Sequence, residues 1–154
     1  MREILFRAKA EYGGRGIEAG EWVEGFYYYK QYGYAGDKEY FGGRHKITTG
    51  IVEARGAYQE SSDEVEYSII PETLGQYTGL TDENDKKIFE GDVVDFYGKR
   101  YTVEFSEDRG GYYPFACGDG CGCCEDDTLP PSCAEVIGNI HDNPELMKEG
   151  KANE

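Results

Sequence analysis

The residues best suited to chemistry are cysteines, four of which lie within eight positions in the stretch CGDGCGCC. Cys121 and Cys124 have the spacing of a zinc knuckle, and Cys117 and Cys133 are the two thiolates that would complete a tetrahedral site. Cys123 is then left over, and the second pair lacks knuckle spacing. A bound dication would offset the local negative charge, which is the physical argument in favour of zinc.

The surroundings of these cysteines favour free thiols in a mobile loop over zinc, with a disulfide third. A reducing cytosol disfavours structural disulfides. Between Gly110 and Met147 the chain has no Lys or Arg but seven Asp and Glu. Nearby carboxylates disfavour the thiolate, so a nucleophilic or redox-active cysteine is not expected. We therefore predict no cofactor, with zinc as the alternative.

Other residue types that serve in catalysis are few and scattered. The two histidines, His45 and His141, are each isolated in sequence. Glu90 and Asp92 in FEGDVV could act as acid and base if they shared a strand face. A turn that leads into a strand explains them better, with Asp92 accepting backbone hydrogen bonds. We therefore expect no catalytic residue, and a small enzyme is the less favoured class.

Tyrosine is unusually frequent, with 14 copies, and six of them crowd the segment after Trp22. They could form a stacking platform for bases or the aromatic part of a protein interface. Stacking on nucleic acid also requires cations, which are thin in this segment, so protein contact is favoured. By strand alternation about half of the rings should pack the sheet and the others should lie on its surface. The candidate interaction residues are Tyr27, Tyr28, Tyr29, Tyr32, Tyr34 and Tyr40.

The charge balance argues against direct nucleic-acid binding. Sixteen Lys and Arg against 31 Asp and Glu give a net charge of −15, which repels a phosphate backbone. The basic clusters GRHK, KK and GKR are too small to indicate a nucleic-acid-binding surface. The opening MREILFRAKA does not resemble a signal peptide, and no apolar run reaches membrane-spanning length. These observations predict a cytoplasmic protein without membrane contact.

Hydrophobic periodicity predicts mostly strands. Alternating or β-branched runs occur in MREILFRA, around Trp22 in GEWVEGF, in RHKITTGIVEARGAY and in EVEYSII. KKIFEGDVVDF and RYTVEF indicate further strands around the turn Tyr97–Gly98. Near the end, Asn143 is a good helix N-cap, with Pro144 at the first helical position and Gly150 as the stop.

These elements predict a mainly β fold in a single domain over residues 1–154. An N-terminal β layer packs on an SH3-like antiparallel meander or barrel, and one short helix follows. The predicted segments are the β layer over 1–72, the meander over 73–142, and the helix and tail over 143–154.

The stretch PETLGQYTGLTDENDKKIFEGDVVDF, followed by EVIGNIHDNPEL, resembles the YopX family of bacteriophage and prophage proteins. The opening MREILFRA is similar to that family too, whereas residues from about Ala10 to Glu66 resemble it only through GEWVEGFY and the β pattern. Where the family has Asn-Gly after TGL, this chain has Asn84-Asp85, and Asp tolerates the left-handed backbone that glycine favours. The resemblance implies a β-rich fold, a phage or prophage origin and no established biochemical activity.

The expected function is that of a noncatalytic module that binds a phage or host protein through an acidic, tyrosine-bearing surface. The alternative is an acidic DNA mimic that occupies a nucleic-acid-binding protein. Such a mimic agrees with the net charge but needs carboxylates arrayed like phosphates on one face. The sequence leaves homo-oligomerisation open.

Overall fold

A computed structural model describes residues 3–32, 42–49, 65–115 and 129–149. The chain forms two compact units, which we call the N-terminal unit (Ile4–Gly75) and the C-terminal unit (Gln76–Glu154 with Met1–Glu3). Strands dominate the described residues, which contain one α-helix, near the C-terminus, so the predicted mainly β class is confirmed. The strands are β1 (Phe6–Lys9), β2 (Trp22–Tyr32), β3 (Gly42–Thr49), β4 (Val65–Ser68), β5 (Gly75–Thr81), β6 (Lys87–Phe89), β7 (Asp92–Phe96), β8 (Lys99–Thr102), β9 (Glu104–Ser106), β10 (Gly111–Tyr113) and β11 (Glu135–Asn139), and the helix is α1 (Glu145–Glu149).

The N-terminal unit is an antiparallel sheet that closes on itself. Its strands follow the order β4-β3-β2-β1. Beyond β1, Ala10 forms an antiparallel bridge with Ile69, which follows β4. The Ile70 N–H donates to the Lys9 carbonyl at 2.9 Å. The sheet therefore curls into a small barrel-like unit around the buried residues Ala8, Ala10, Val23, Ile47 and Ile69.

Close approach of two strands explains the glycine in WVEGF. Gly25 is buried in the middle of β2 and pairs with Phe6 of β1. A Cβ atom added there would overlap the Thr48 carbonyl oxygen of β3 and would lie 2.9 Å from Cγ2 of Ile47. Only glycine fits this position without a shift of the β3 backbone.

The C-terminal unit combines a sheet of order β11-β7-β8 with the antiparallel pairs β5–β6 and β9–β10. The predicted strand runs KKIFEGDVVDF and RYTVEF are therefore confirmed. The description of this unit as SH3-like and the packing of one β layer on the other stay predictions, and so do the domain boundaries. The core residues of the unit are Ile88, Val94, Val103, Tyr112, Ala134 and Val136.

The turn between β7 and β8 is the predicted one. Phe96 pairs with Lys99, which leaves Tyr97 and Gly98 as a two-residue loop. Both have positive φ, 49° and 84°, as a type I′ hairpin requires. The Asp95 carboxylate accepts the Gly98 N–H at 3.0 Å.

The turn between β5 and β6 also agrees with the sequence prediction. Asp85 has a φ of 60°, a left-handed conformation, at the position where the family has glycine. Its N–H donates to the Asp82 carbonyl at 3.1 Å, and the Asp82 N–H donates to the Lys86 carbonyl at 2.9 Å. Aspartate therefore occupies a glycine position, at the cost of some backbone strain.

The C-terminal helix begins at Glu145, later than predicted for a helix with Pro144 at its first position. The Asn143 side-chain oxygen accepts a hydrogen bond from the Asn139 N–H, with 3.4 Å between the nitrogen and the oxygen. This side chain therefore points toward β11. At Gly138 of β11 a Cβ would overlap the Asn143 side chain and a methyl group of Leu146, which shows how closely the helix packs there. The predicted stop at Gly150 lies outside the described residues. No helix in the described ranges is long and apolar enough to cross a membrane.

Candidate interaction surface

The outward-facing side chains of the N-terminal unit form a surface that the sequence did not reveal. In this barrel-like sheet, Ala8, Val23 and Ile47 point inward, so their strand neighbours point outward. Antiparallel pairing places these outward residues side by side across the strands. We call this surface the aromatic-basic face, and its residues are Arg7, Lys9, Trp22, Glu24, Phe26, Tyr28, Lys30, Arg44, Lys46 and Glu66.

One end of the aromatic-basic face is built around Trp22. Lys9 pairs with Trp22 and Arg7 pairs with Glu24 across β1 and β2. The guanidinium carbon of Arg7 lies 4.7 Å from the Trp22 ring centroid and the Lys9 ammonium lies 5.5 Å from it. These cation–π contacts hold the two positively charged side chains against the Trp22 ring.

The other end is built around the carboxylate of Glu66. The Tyr28 hydroxyl donates a hydrogen bond to it, and the ammonium groups of Lys30 and Lys46 each lie 3.4 Å from its Oε2 atom. The Tyr28 hydrogen bond lowers the pKa of Glu66 below its ordinary value of 4.5; burial opposes this shift, and the two lysines add to it. The carboxylate is therefore held ionised, as the anchor of this network.

Along β2, Phe26 lies between Trp22 and Tyr28, and its cross-strand row continues through Thr48 to Glu66. Phe26 has no polar atom to justify exposure, yet 57% of it is exposed. Aromatic residues and arginine are enriched at protein interfaces relative to the rest of the surface, so Phe26 and its charged neighbours are a candidate contact surface.

The charge of this face differs from that of the chain. It combines five Lys and Arg with Glu24 and Glu66, in a protein whose net charge is −15. At its edge, Arg44 pairs with Glu11 at 3.4 Å and lies over the Tyr12 ring at 5.6 Å from the centroid. The basic residues come from three strands, and the sequence cluster GRHK contains two of them, Arg44 and Lys46. The other signal in the sequence was the alternation of Trp22, Glu24 and Phe26 along β2.

Tyr27 and Tyr29 lie on the opposite, inward side of β2. The Tyr27 hydroxyl and the His45 Nδ1 atom form a hydrogen bond of 2.7 Å, with the two rings nearly parallel. Tyr29 contacts His45 at 4.9 Å between ring centroids, and its ring covers Gly43, which leaves no room there for a side chain. Tyr27 packs against the core, whereas Tyr29 is 49% exposed.

The predicted tyrosine platform is therefore divided between two sides of one strand. Tyr28 faces outward and is half-buried by its contact with Glu66, whereas Tyr29 faces inward and is exposed. Exposure does not follow the simple alternation that was predicted, because Tyr29 lies beyond the end of the apolar core. Tyr32 belongs to β2, but its side chain is not described, and Tyr34 and Tyr40 lie outside the described residues.

The cysteine predictions fall mainly outside the described residues, which do not include Cys117, Cys121, Cys123 or Cys124. Cys133 is a half-buried free thiol in the short turn before β11. The predicted free thiols and the zinc alternative therefore both stay predictions. Within the described ranges, no group of three or more His, Cys, Asp or Glu side chains could hold a metal.

Glu90 and Asp92, the candidate acid and base, have contacts that indicate structural roles. Asp92 is 1% exposed and accepts the Phe89 N–H at 2.8 Å, as predicted. Gly91 between the two has a φ of 89° and forms the turn before β7. Burial raises the pKa of Glu90; a backbone hydrogen bond from Gln76 opposes the shift, and the Glu104 charge adds to it. His141 packs near Gly91, where a Cβ would lie 3.7 Å from its Nε2 atom.

A shallow cleft in the C-terminal unit has a volume of about 200 Å³. Its lining has no carboxylate, histidine, lysine or cysteine, so it offers apolar contact and not acid–base chemistry. The lining residues are Thr78, Leu80, Phe105, Gly110, Gly111, Tyr112 and Phe115.

A family model described as YopX protein matches residues 29–148, most of the chain. The chain belongs to the YopX family. A solved structure, that of protein EF1440 from Enterococcus faecalis, is similar at 21% identity, with a TM-score of 0.42, over 96% of this chain and 99% of that one. No curated protein matches the chain.

The residues that resemble the YopX family have structural roles in this chain. Asp82 of TGLTDEND is buried, and its carboxylate accepts the N–H groups of Asn84, Lys86 and Val136 at 2.8 to 2.9 Å. Asn139 of GNIHDNPEL accepts the N–H groups of His141 and Asp142. The YopX pattern in the C-terminal unit therefore describes turns. The matched range begins after Trp22 and Phe26, and it includes Lys30, Arg44, Lys46 and Glu66 of the aromatic-basic face.

Proposed function

We propose that this YopX protein is a noncatalytic module that binds a phage or host protein in the bacterial cytoplasm. The binding surface is the aromatic-basic face of the N-terminal unit, with Phe26 at its centre. The observation that carries the proposal is the 57% exposure of Phe26 between two ordered charged clusters.

Several properties of this surface favour a protein partner. Aromatic residues and arginine carry much of the binding energy at protein interfaces, and they act best when their neighbours hold them in place. Trp22 is held by Arg7 and Lys9, and Tyr28 is held by Glu66. Little side-chain entropy therefore remains to be lost on binding around Phe26.

Site-specific crosslinking tests the proposal directly. A photoreactive phenylalanine analogue is placed at position 26 of the full chain, in a bacterial host that carries the related phage or prophage. We expect a discrete protein adduct, identified by mass spectrometry. The matched control is the same analogue at Tyr97, an aromatic residue that is 82% exposed in a turn of the C-terminal unit.

The adduct must depend on the position and on its neighbours. Trp22→Ala, combined with the analogue at position 26, should reduce the yield of the adduct because it removes the adjacent aromatic anchor. Equal protein adducts at positions 26 and 97, or adducts to nucleic acid alone, would contradict a protein-binding role for this face.

The acidic DNA mimic is a second candidate, supported by the distribution of charge. The C-terminal unit has 8 Lys and Arg and 19 Asp and Glu, a net charge of −11. A mimic would displace DNA from a partner, and charge-neutralising substitutions in that unit would weaken the displacement. Retention of full displacement activity by a Phe26→Ala variant would favour the mimic over the binding module.

A further inference from the structure

We infer that the partner presents an acidic, extended segment to the aromatic-basic face, with one apolar side chain against Phe26 and carboxylates on both sides of it. The inference rests on the proposed function and adds the chemistry of the partner. It follows from three features of the face: its charge, the spacing of its anchors and the acidic residues within it.

The charge of the face determines which partner is attracted at short range. At physiological salt the Debye length is about 8 Å, so a docked segment responds to the charges near it more than to the net charge of the chain. The five basic side chains outnumber Glu24, Glu66 and the Glu11 carboxylate that pairs with Arg44, and the side chains of Lys30 and Arg44 are 45% and 48% exposed. A segment that carries carboxylates is complementary to this surface.

The spacing of the anchors matches an extended peptide. Trp22, with its two cations, and Lys30 each lie four residues from Phe26 along β2. Strand geometry therefore puts the Cα atoms of Trp22 and Lys30 each ~13 Å from that of Phe26, and an extended partner covers the same distance with four residues. The complementary pattern is an apolar residue with an acidic residue four positions before it and another four positions after it.

Other features favour an acidic peptide over single-stranded nucleic acid. Glu24 lies between Trp22 and Phe26 on the same face of β2, where a continuous phosphate backbone would meet it. The Trp22 ring already contacts Arg7 and Lys9, whereas base stacking requires accessible rings in succession. A peptide can place neutral residues opposite the glutamates and needs only one apolar anchor.

Synthetic peptides provide the test. The probe is a fluorescent peptide long enough to follow β2, with a central Leu, Glu at the fourth position on each side, and Ser or Thr elsewhere. Matched probes replace the two Glu with Lys, replace the Leu with Ser, or substitute an oligothymidylate of similar length. Binding to the full chain is measured by fluorescence anisotropy at low and at physiological salt, and amide NMR shifts locate the contact.

We expect the Glu-Leu-Glu peptide to bind and to shift amides of β1, β2 and β3. Phe26→Ala should weaken its binding about tenfold, since anchors of this kind dominate interfaces. Lys9→Gln with Lys30→Gln should weaken it and reduce its salt dependence. Tyr97→Ala and Lys99→Gln, exposed substitutions in the C-terminal unit, should leave the affinity unchanged. Circular dichroism checks that each variant is folded.

Four outcomes would overturn the inference. They are failure of the peptide to bind, equal binding by the Phe26→Ala variant, equal affinity for the Lys-containing peptide, and tighter binding of the oligothymidylate. Self-association abolished by the same substitutions would instead assign the face to a second copy of the chain. If position 26 still crosslinks to a protein while the peptide fails, the protein-binding function stands and only the acidic chemistry is wrong.

Discussion

Polar side chains serve different purposes in the two units. In the C-terminal unit, Asp82 and Asn139 are buried and accept backbone N–H groups of neighbouring turns. In the N-terminal unit, Glu66 lies on an outer surface with Tyr28 and two lysines. The net charges also differ, −11 against −4, the N-terminal unit having 8 Lys and Arg and 12 Asp and Glu.

This difference separates polar residues that hold turns from polar residues that lie on the proposed binding face. The pattern that resembles the YopX family is strongest where buried polar groups must satisfy backbone groups, because an unpaired buried N–H or carboxylate is costly. On the aromatic-basic face of the N-terminal unit, the polar contacts of Glu66 are instead with other side chains. The predictions below test this division.

The largest effect is expected at Gly25, because β2 and β3 approach each other closely at this residue. Gly25→Ala should destabilise the N-terminal unit by about 3 kcal/mol, because the Cβ would overlap the Thr48 carbonyl oxygen and force the backbone apart. Chemical denaturation measures the change. The control is Gly42→Ala in β3, where nothing lies within 4 Å of an added Cβ; an equal loss there would show that strand glycine in general, and not this contact, is responsible.

A loss of about 2 to 3 kcal/mol is expected for Asp82→Ala in the C-terminal unit. The change removes the acceptor of three backbone N–H groups, of which that of Val136 is buried. Equilibrium unfolding with a probe in each unit should place the loss in the C-terminal unit. If peptide binding at the aromatic-basic face fell as well, the proposed separation of structural and binding roles would be wrong.

The same carboxylate predicts an acid dependence. Burial raises the pKa of Asp82, but hydrogen bonds from Val136, Lys86 and Asn84 outweigh it and hold the pKa below 3.8. A lowered folded-state pKa contributes stability above the ordinary value, and this stability is lost as the pH falls through the folded-state pKa. The loss of folding stability at low pH should therefore be smaller in Asp82→Ala. Asp85→Ala, in the same turn, should lose stability at low pH as the unmodified protein does.

Tyr28→Phe should have a smaller effect, confined to the N-terminal unit. It removes the hydrogen bond that contributes most to the low pKa of Glu66, so that pKa should rise toward 4.5. A carboxyl NMR titration measures the shift. Stability should fall by about 1 kcal/mol near neutral pH. Unchanged titration of Glu66 in the variant would refute the network around its carboxylate.

The smallest effect is expected at Asp85, and it has the opposite sign. Asp85→Gly should stabilise the C-terminal unit by about 0.5 to 1 kcal/mol, since glycine adopts a φ of 60° without strain. Asp85→Ala should not be stabilising, because alanine disfavours positive φ. Thermal unfolding of the two variants side by side distinguishes relief of backbone strain from loss of a surface charge.

Local features of this protein were determined by the sequence alone. The Tyr97–Gly98 hairpin, the left-handed Asp85 and the backbone hydrogen bond to Asp92 each involve residues a few positions apart. Turn geometry and strand periodicity depend largely on the intrinsic preferences of residues close in sequence. For the same reason the mainly β class could be predicted before the structure, whereas the family was recognised from its motifs.

Only the tertiary structure decided how the candidate surface is assembled. Arg7, Phe26 and Lys46 come from three strands, and antiparallel register puts them on one face. Closure of the sheet through Ala10 and Ile69 then makes that face the outer one. A one-residue change of register would reverse which side chains point outward, and single-segment patterns do not specify register between distant strands. The net charge of the sequence pointed to an acidic surface, whereas the folded sheet gathers basic residues around an exposed phenylalanine.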